Sequence, residues 1–202
     1  MIEDLVFGPV PSRRLGLSLG VNNIPPKHCT YSCVYCQIGR TIHIDIKRKN
    51  FYDPRAIIRE AISKAEKTTP DVITFVPDGE PTLDLNLGVE IRGIKEGIGT
   101  SVAVITNSSL LFMEDVRRDL LNADIISIKV DSVSKRVWKL VNRPHPSLDL
   151  EKVLKGIEEL SLSYRGELIS ETMLVKGLND SREEISKVAE FLLSFNPFTS
   201  MV

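Results

Sequence analysis

Three cysteines occur in the 202-residue chain, and all fall within one short stretch: Cys29, Cys33 and Cys36. An odd number of thiols crowded into one loop is not a disulfide framework. Thiolates are soft ligands that select iron–sulfur clusters, zinc or copper(I). A cubane cluster ordinarily takes four cysteines. A site built on these three therefore leaves one metal position open, or fills it from a histidine, another chain or a small molecule. Zinc held by the three thiols and His43 is an alternative, since structural zinc accepts Cys₃His. Zinc knuckles usually pair two C-x2-C units, however, and one is present here. The third reading is three unligated thiols, for which a Pro-rich loop is a poor burial place.

Chemistry at such a loop needs a scaffold. Apolar, β-branched runs alternate with amphipathic segments along the chain, which argues for βα units and a parallel sheet. The pattern predicts strands at Leu17–Asn23, Val72–Val76, Val102–Thr106, Ile125–Val130 and Leu168–Val175, with Phe198–Val202 opening a sixth. Between them it predicts helices at Asp53–Lys67, Leu85–Glu96, Met113–Asn122, Asp149–Ser161 and Ser181–Ser194. Asp53 stands as N-cap before Pro54 at the first helical position. Ser181 with Glu184 has capping-box spacing. Right-handed crossovers curl such a sheet into a barrel or partial barrel, and ligand chemistry gathers at the carboxyl ends of its strands. The expected architecture is an α/β partial TIM-like barrel with its last strand incomplete. Residues 1–202 form one domain: an N-terminal extension (1–16), the cysteine loop (25–41) and a final partial strand (198–202). That strand would present an exposed edge.

C-x3-C-x2-C with Tyr35 just before the last cysteine resembles the signature of the radical S-adenosylmethionine (SAM) enzymes, in a subgroup like the wyosine-synthase-like iron–sulfur oxidoreductases. The opening Phe7-Gly8-Pro9-Val10-Pro11-Ser12-Arg13-Arg14-Leu15-Gly16 carries the subgroup resemblance. The resemblance implies that Cys29, Cys33 and Cys36 hold three irons of a [4Fe–4S] cluster, that SAM chelates the fourth, and that Tyr35 lies near the adenine. It implies reduction by ferredoxin or flavodoxin and cleavage of SAM to a 5′-deoxyadenosyl radical. RNA enters as a substrate by subgroup association only. After the second strand, Asp78-Gly79-Glu80-Pro81 looks like the family's element that binds the SAM amino group, so Gly79, Glu80 and Pro81 join the site. Thr106-Asn107-Ser108 stands where relatives often carry Thr-Asn-Gly. Asn107 either reaches cofactor or substrate or caps the next helix.

The fourth strand alternates: Ile126, Ile128 and Val130 face the helices, and Ser127, Lys129 and Asp131 face the barrel interior. Inward charges there need partners, and the family places SAM ribose contacts on this strand, which brings in Lys129 and Asp131. On the fifth strand, alternation leaves Ser170/Thr172 or Glu171/Met173 inward. Likeness to relatives favours Glu171, with Met173 as packing and Asn179-Asp180 turning the chain into the last helix.

Other features read as structural. Seven residues at about 3.3 Å each put Arg13 and Arg14 about 23 Å from the cysteine loop. The run Lys47-Arg48-Lys49 reads as a solvated face. His145 either binds substrate or fills a loop between prolines. Residues 1–60 carry nine Lys/Arg and five Asp/Glu, yet the whole chain has 26 against 27 and a net charge of −1. That excludes a generally basic nucleic-acid wrapper. An acidic start without a cationic leader, and no membrane-length apolar run, lead to the expectation of a cytoplasmic protein. With no further cysteine for a second cluster, activities that need one are disfavoured. The competing functions are a non-catalytic cluster- or SAM-binding subunit and a zinc-stabilised binding module.

Overall fold

The computed structural model describes residues 5–195 and, as backbone, 199–201. The chain opens with an antiparallel hairpin, β1 (Val6–Ser12) and β2 (Gly16–Val21). A two-residue ribbon follows, β3 (His28–Cys29) beside β4 (His43–Ile44). Then come α1 (Pro54–Thr68), β5 (Val72–Phe75), a 3₁₀ turn at Pro81–Leu83, α2 (Leu87–Ile98), β6 (Ser101–Ile105), α3 (Glu114–Leu120) and β7 (Ile125–Lys129). The remaining elements are α4 (Lys135–Asn142), α5 (Leu150–Ser163), β8 (Glu167–Glu171), α6 (Arg182–Phe195) and β9 (Thr199–Met201). The main sheet runs β1-β2-β5-β6-β7-β8-β9, parallel from β2 onward. It is an open α/β partial barrel.

Local chemistry starts the helices where the sequence places them. The Asp53 carboxylate accepts from Arg55 N–H at 3.0 Å, with Pro54 next in line. Asp149 caps α5 by accepting from Glu151 and Lys152 N–H. Ser181 accepts from Glu184 N–H at 3.2 Å. The other half of that capping box does not form, because the Glu184 carboxylate turns to the hydroxyls of Ser134 (2.8 Å) and Ser132 (3.2 Å). The glycines of α2 serve packing: a Cβ on Gly93 would stand 2.5 Å from Ile58 Cδ1 of α1.

The core lies between sheet and helices. Ile57 and Ala61 of α1, Ile91 and Ile94 of α2, and Ile126 and Ile128 of β7 are all fully buried in it. Each large apolar side chain so buried contributes about 1.5–3 kcal/mol. The alternation of β7 holds as read: Ile126, Ile128 and Val130 join this core and leave Ser127 and Lys129 to the opposite face.

Three expectations change. Residues 1–16, read as an extension, contain β1 and so build the first edge of the sheet. The strand read as Leu168–Val175 ends at Glu171, because Asn179 folds the following segment back, accepting from Val175 N–H and donating to the carbonyls of Met173 and Asp131. Helix α4, absent from the sequence reading, follows β7. Of the strand read over 198–202, residues 199–201 are strand; Phe198 and Val202 lie outside the described residues. Among the described residues, no helix is long and apolar enough to cross a membrane.

Candidate functional site

At the carboxyl ends of β5–β8, all three cysteines line one cavity of about 400 Å³, continuous with a deeper recess of about 190 Å³. The cysteine loop is held over the strand ends from several sides. Cys29 sits on the β3–β4 ribbon. Val34 N–H donates to Val141 O and Ser32 N–H to Asn142 O, which ties the loop to the end of α4. Cys36 N–H to Cys33 O and Gly39 N–H to Cys36 O form successive turns. On the opposite side, Glu80 N–H donates to His28 O. Gly79 is the point of closest approach: a Cβ there would lie 1.9 Å from His28 O. Only glycine lets loop and turn pack together.

Each thiol is half-buried, and two of them receive amide donors. Asn107 Nδ2 lies 3.4 Å from Cys29 Sγ and 2.8 Å from Thr30 Oγ1. Asn142 Nδ2 lies 3.5 Å from Cys33 Sγ. Burial, aided by the Glu80 charge, pushes the Cys29 thiol up to about 12, and burial raises Cys33 as well. Without metal these thiols stay protonated, so loading must release protons.

Glu80 is fully buried and its carboxylate is engaged on both oxygens. One oxygen accepts from Thr82 N–H (3.2 Å) and from the hydroxyls of Thr82 and Thr106 (both 2.6 Å). The other accepts from Asn107 N–H at 2.7 Å. Burial raises its pKa against the pull of these bonds. Glu80 thus joins the turn after β5 to the turn after β6. Pro81 opens the 3₁₀ turn and gives its carbonyl to Asn23. It does not line the cavity, whereas Gly79 and Glu80 do.

In the turn after β6, Ser108 adopts φ 69°, the left-handed region glycine favours. Serine is held there by accepting from Lys129 N–H at 2.8 Å.

The β7–β8 register sets Lys129 beside Glu171. Lys129 Nζ lies 3.5 Å from Glu171 Oε1 and 4.9 Å from the centre of the Tyr35 ring. Arg14 Nη1 binds the other Glu171 oxygen at 2.8 Å. Burial alone would raise the Glu171 pKa; the charges of Lys129 and Arg14 outweigh it and hold it low. Tyr35 lines the cavity and donates its hydroxyl to Asp131. Burial and the Asp131 charge push that phenol up.

Several sequence-derived residues take other places. Asp131 does not line the cysteine cavity. Its oxygens accept from Tyr35, Asn142 Nδ2 (2.6 Å) and Met173 N–H (2.8 Å), so it orients Tyr35 and Met173, which do. Met173 lines the cavity rather than only packing. His145 is outside the cavity, its ring accepting from Ser147 N–H within its own turn. The straight-line separation of Arg14 from the cysteines fails because the sheet curves, bringing the β1–β2 turn to the end of β8. Arg48 is buried rather than solvated: its guanidinium meets Thr82 O, Asp84 O, Asp115 and Asp119. Asn142 and Ser127 went unrecognised as site residues. Asn142, two residues before Pro144, carries no local signal, and alternation alone turns Ser127 inward without assigning it a role.

Three soft thiols lining one cavity are a donor set that fits an iron–sulfur cluster, whose ligands sit on separate corners. The zinc alternative needs His43 beside the thiols. His43 stacks on His28 (centroids 4.2 Å apart) and does not line the cavity. Ser127 Oγ is buried in the deeper recess with no partner among the described residues, a polar atom left for a ligand.

A family model described as the radical SAM superfamily matches residues 23–192. The chain belongs to the radical SAM superfamily. It is 50% identical over 196 residues to UPF0026 protein MJ1312 of Methanocaldococcus jannaschii, a stretch covering 96% of this chain and 61% of that protein. It is 36% identical over 197 residues to a UPF0026 protein of Helicobacter pylori, covering 95% of this chain and 63% of that protein. The chain thus spans about three fifths of the length of these curated relatives. Among solved structures, Streptococcus suis SuiB bound to S-adenosylmethionine aligns with a TM-score of 0.62 at 13% identity, over 86% of this chain and 36% of that one. TYW1 with a lysine-pyruvate adduct bound aligns with a TM-score of 0.61 at 14% identity, over 86% and 61%. Both are likenesses of fold, to the α/β partial barrel described above.

Proposed function

We propose that this chain is a radical SAM enzyme whose Cys29, Cys33 and Cys36 hold a [4Fe–4S] cluster. When bound, the cluster with SAM on its open iron supplies reductive cleavage of SAM to methionine and a 5′-deoxyadenosyl radical that takes hydrogen from the substrate. The protein's part is orientation and exclusion of water. Asn107 and Asn142 direct amide N–H groups at two of the sulfurs and so fix the thiolates. The Gly79–Pro81 turn offers backbone carbonyls to an ammonium group, and Glu80, hydrogen-bonded on both sides, holds that turn against Asn107. Tyr35 supplies an aromatic wall, steadied by Asp131. Lys129 and Glu171 offer charged contacts to the ribose or to substrate. Ferredoxin or flavodoxin serves as electron donor; RNA remains a candidate substrate on subgroup association alone.

The observation that carries the reading is the arrival of all three thiols of one loop at a single cavity shared with Gly79, Asn107 and Lys129. The test is anaerobic reconstitution, iron and sulfide assay, and detection of 5′-deoxyadenosine after reduction with SAM. Iron and sulfide in equal amounts and 5′-deoxyadenosine formation are expected, both lost in Cys33→Ala. Colourless protein holding zinc without sulfide, or a Cys33→Ala variant that still cleaves SAM, removes the assignment.

A further inference from the structure

The β1–β2 turn carries two cations, Arg14 at the cysteine cavity and Arg13 outside it. Arg14, Glu171 and Met173 line the cysteine cavity and also a second, outer cavity of about 560 Å³. Arg13, Thr172 and Leu174 contribute to the outer wall. The single carboxylate there, Glu171, is divided between Arg14 on one oxygen and Lys129 on the other. Arg13 forms no ion pair with another described residue and is exposed. The outer cavity is therefore cationic, and one of its two guanidinium groups is uncommitted. Beside those cations stand the apolar side chains of Met173 and Leu174, the latter 38% exposed. The three shared residues, Arg14, Glu171 and Met173, set this space next to the cysteine cavity.

We propose that the outer cavity binds the substrate, and that the substrate is a small organic anion. Its phosphate or carboxylate lies on Arg13 and Arg14, and its uncharged body lies on Met173 and Leu174. The role as substrate rests on the radical SAM reading; the binding itself does not. Guanidinium forks match both anions bidentately. The cavity volume is in the range of small-molecule sites, about 300–1,000 Å³. A polynucleotide backbone would call for a longer track of cations than two arginines.

The test is isothermal titration of the purified chain, before and after anaerobic reconstitution, with phenyl phosphate, phenylacetate and neutral benzyl alcohol. Saturable one-to-one binding of an anion, and none of the alcohol, is expected. Preference between the two anions identifies the headgroup. Arg13→Gln and Arg14→Gln are each expected to weaken binding about tenfold or more, the loss of one charge-assisted hydrogen bond. Arg13→Gln removes an unpaired, exposed side chain, so it reports on binding even if Arg14→Gln disturbs the hairpin. Failure of both anions to bind, or unchanged affinity in Arg13→Gln, overturns the proposal. Displacement of the anion by SAM also overturns it, by giving the arginines to the cofactor's carboxylate. Tighter, steeply salt-dependent binding of a short single-stranded RNA, lost in the same variants, overturns it in favour of a nucleic-acid contact. Because the titration does not depend on cluster or turnover, its failure leaves the radical SAM reading intact. Absence of 5′-deoxyadenosine likewise leaves an observed anion site intact.

Discussion

Replacing Glu80 by glutamine removes one oxygen from a buried carboxylate that accepts four hydrogen bonds. Two of the four donors are hydroxyls, Thr82 and Thr106, which can rotate and accept instead. The other two are backbone N–H groups, of Thr82 at 3.2 Å and Asn107 at 2.7 Å, which cannot. Whichever way the amide is turned, its NH₂ faces one of those N–H groups. A buried N–H without a partner costs about 1–3 kcal/mol. For a chain of this size each kcal/mol moves Tm by about 2–4 °C. A loss of about 2 kcal/mol thus predicts a fall of about 4–8 °C for Glu80→Gln. Glu80→Ala strands all four donors and is expected to cost at least about 4 kcal/mol, a large share of an ordinary domain's stability. Thermal unfolding of the metal-free chain followed by circular dichroism measures both. Weaker SAM binding in Glu80→Gln should accompany the fall, since the turn that carries Gly79 loses its fastening to Asn107. A Glu80→Gln midpoint within about 1 °C of wild type would refute the reasoning, as would a Glu80→Ala variant no less stable than Glu80→Gln.

Gly79→Ala places a methyl group 1.9 Å from the His28 carbonyl and is expected to push the cysteine loop off the strand ends; iron retained after reconstitution should drop well below wild type. Ser108→Ala keeps the left-handed backbone but leaves Lys129 N–H without its acceptor, and should cost about 1–3 kcal/mol in denaturant unfolding. Ser108→Gly relieves the backbone at the same time, worth about 1 kcal/mol, so it should cost less than Ser108→Ala. Burial, with the Asp84 charge added, raises the pKa of Glu90, which is fully buried on α2. The folded chain keeps a proton there that the unfolded chain releases above its ordinary value of 4.5, so stability should fall as pH rises from that value towards the raised one. The carboxylates held low, Glu171, Glu184 and Asp115, act in the opposite sense and at lower pH. Thermal scans between about pH 5 and pH 8 should therefore show a declining Tm, flattened in Glu90→Gln.

The parts of the fold written in local patterns were legible. β5, β6 and β7 announce themselves as β-branched runs, and α1 and α6 by their N-caps. The cysteine spacing located the loop, and the position of each later motif after a strand placed it on the same rim. What escaped depends on distant partners or lacks a pattern. β1 contains Pro9 and Pro11 and reads as loop, yet it borders the sheet on an edge where missing N–H groups are tolerated. α4 spans two turns with no capping hydrogen bond, too short for periodicity to speak. Arg48 looks like one cation in a basic run because its carboxylate partners, Asp115 and Asp119, lie more than sixty residues further along. Arg14 was misplaced by measuring along one strand, when the sheet's curvature decides the distance.

The tie between the cysteine loop and the end of α4 also bears on the order in which this molecule can mature. Cys29, Cys33 and Cys36 leave the ribosome roughly a hundred residues before Val141 and Asn142, whose carbonyls anchor their loop. Domains organise as units during synthesis, from the N-terminus onward. The loop's anchor therefore waits until the chain through α4 exists. Under the proposed function, iron and sulfide would then enter a finished mould rather than serve as the seed around which the chain condenses, and oxidants or stray copper and zinc would have that interval in which to reach the cysteines first.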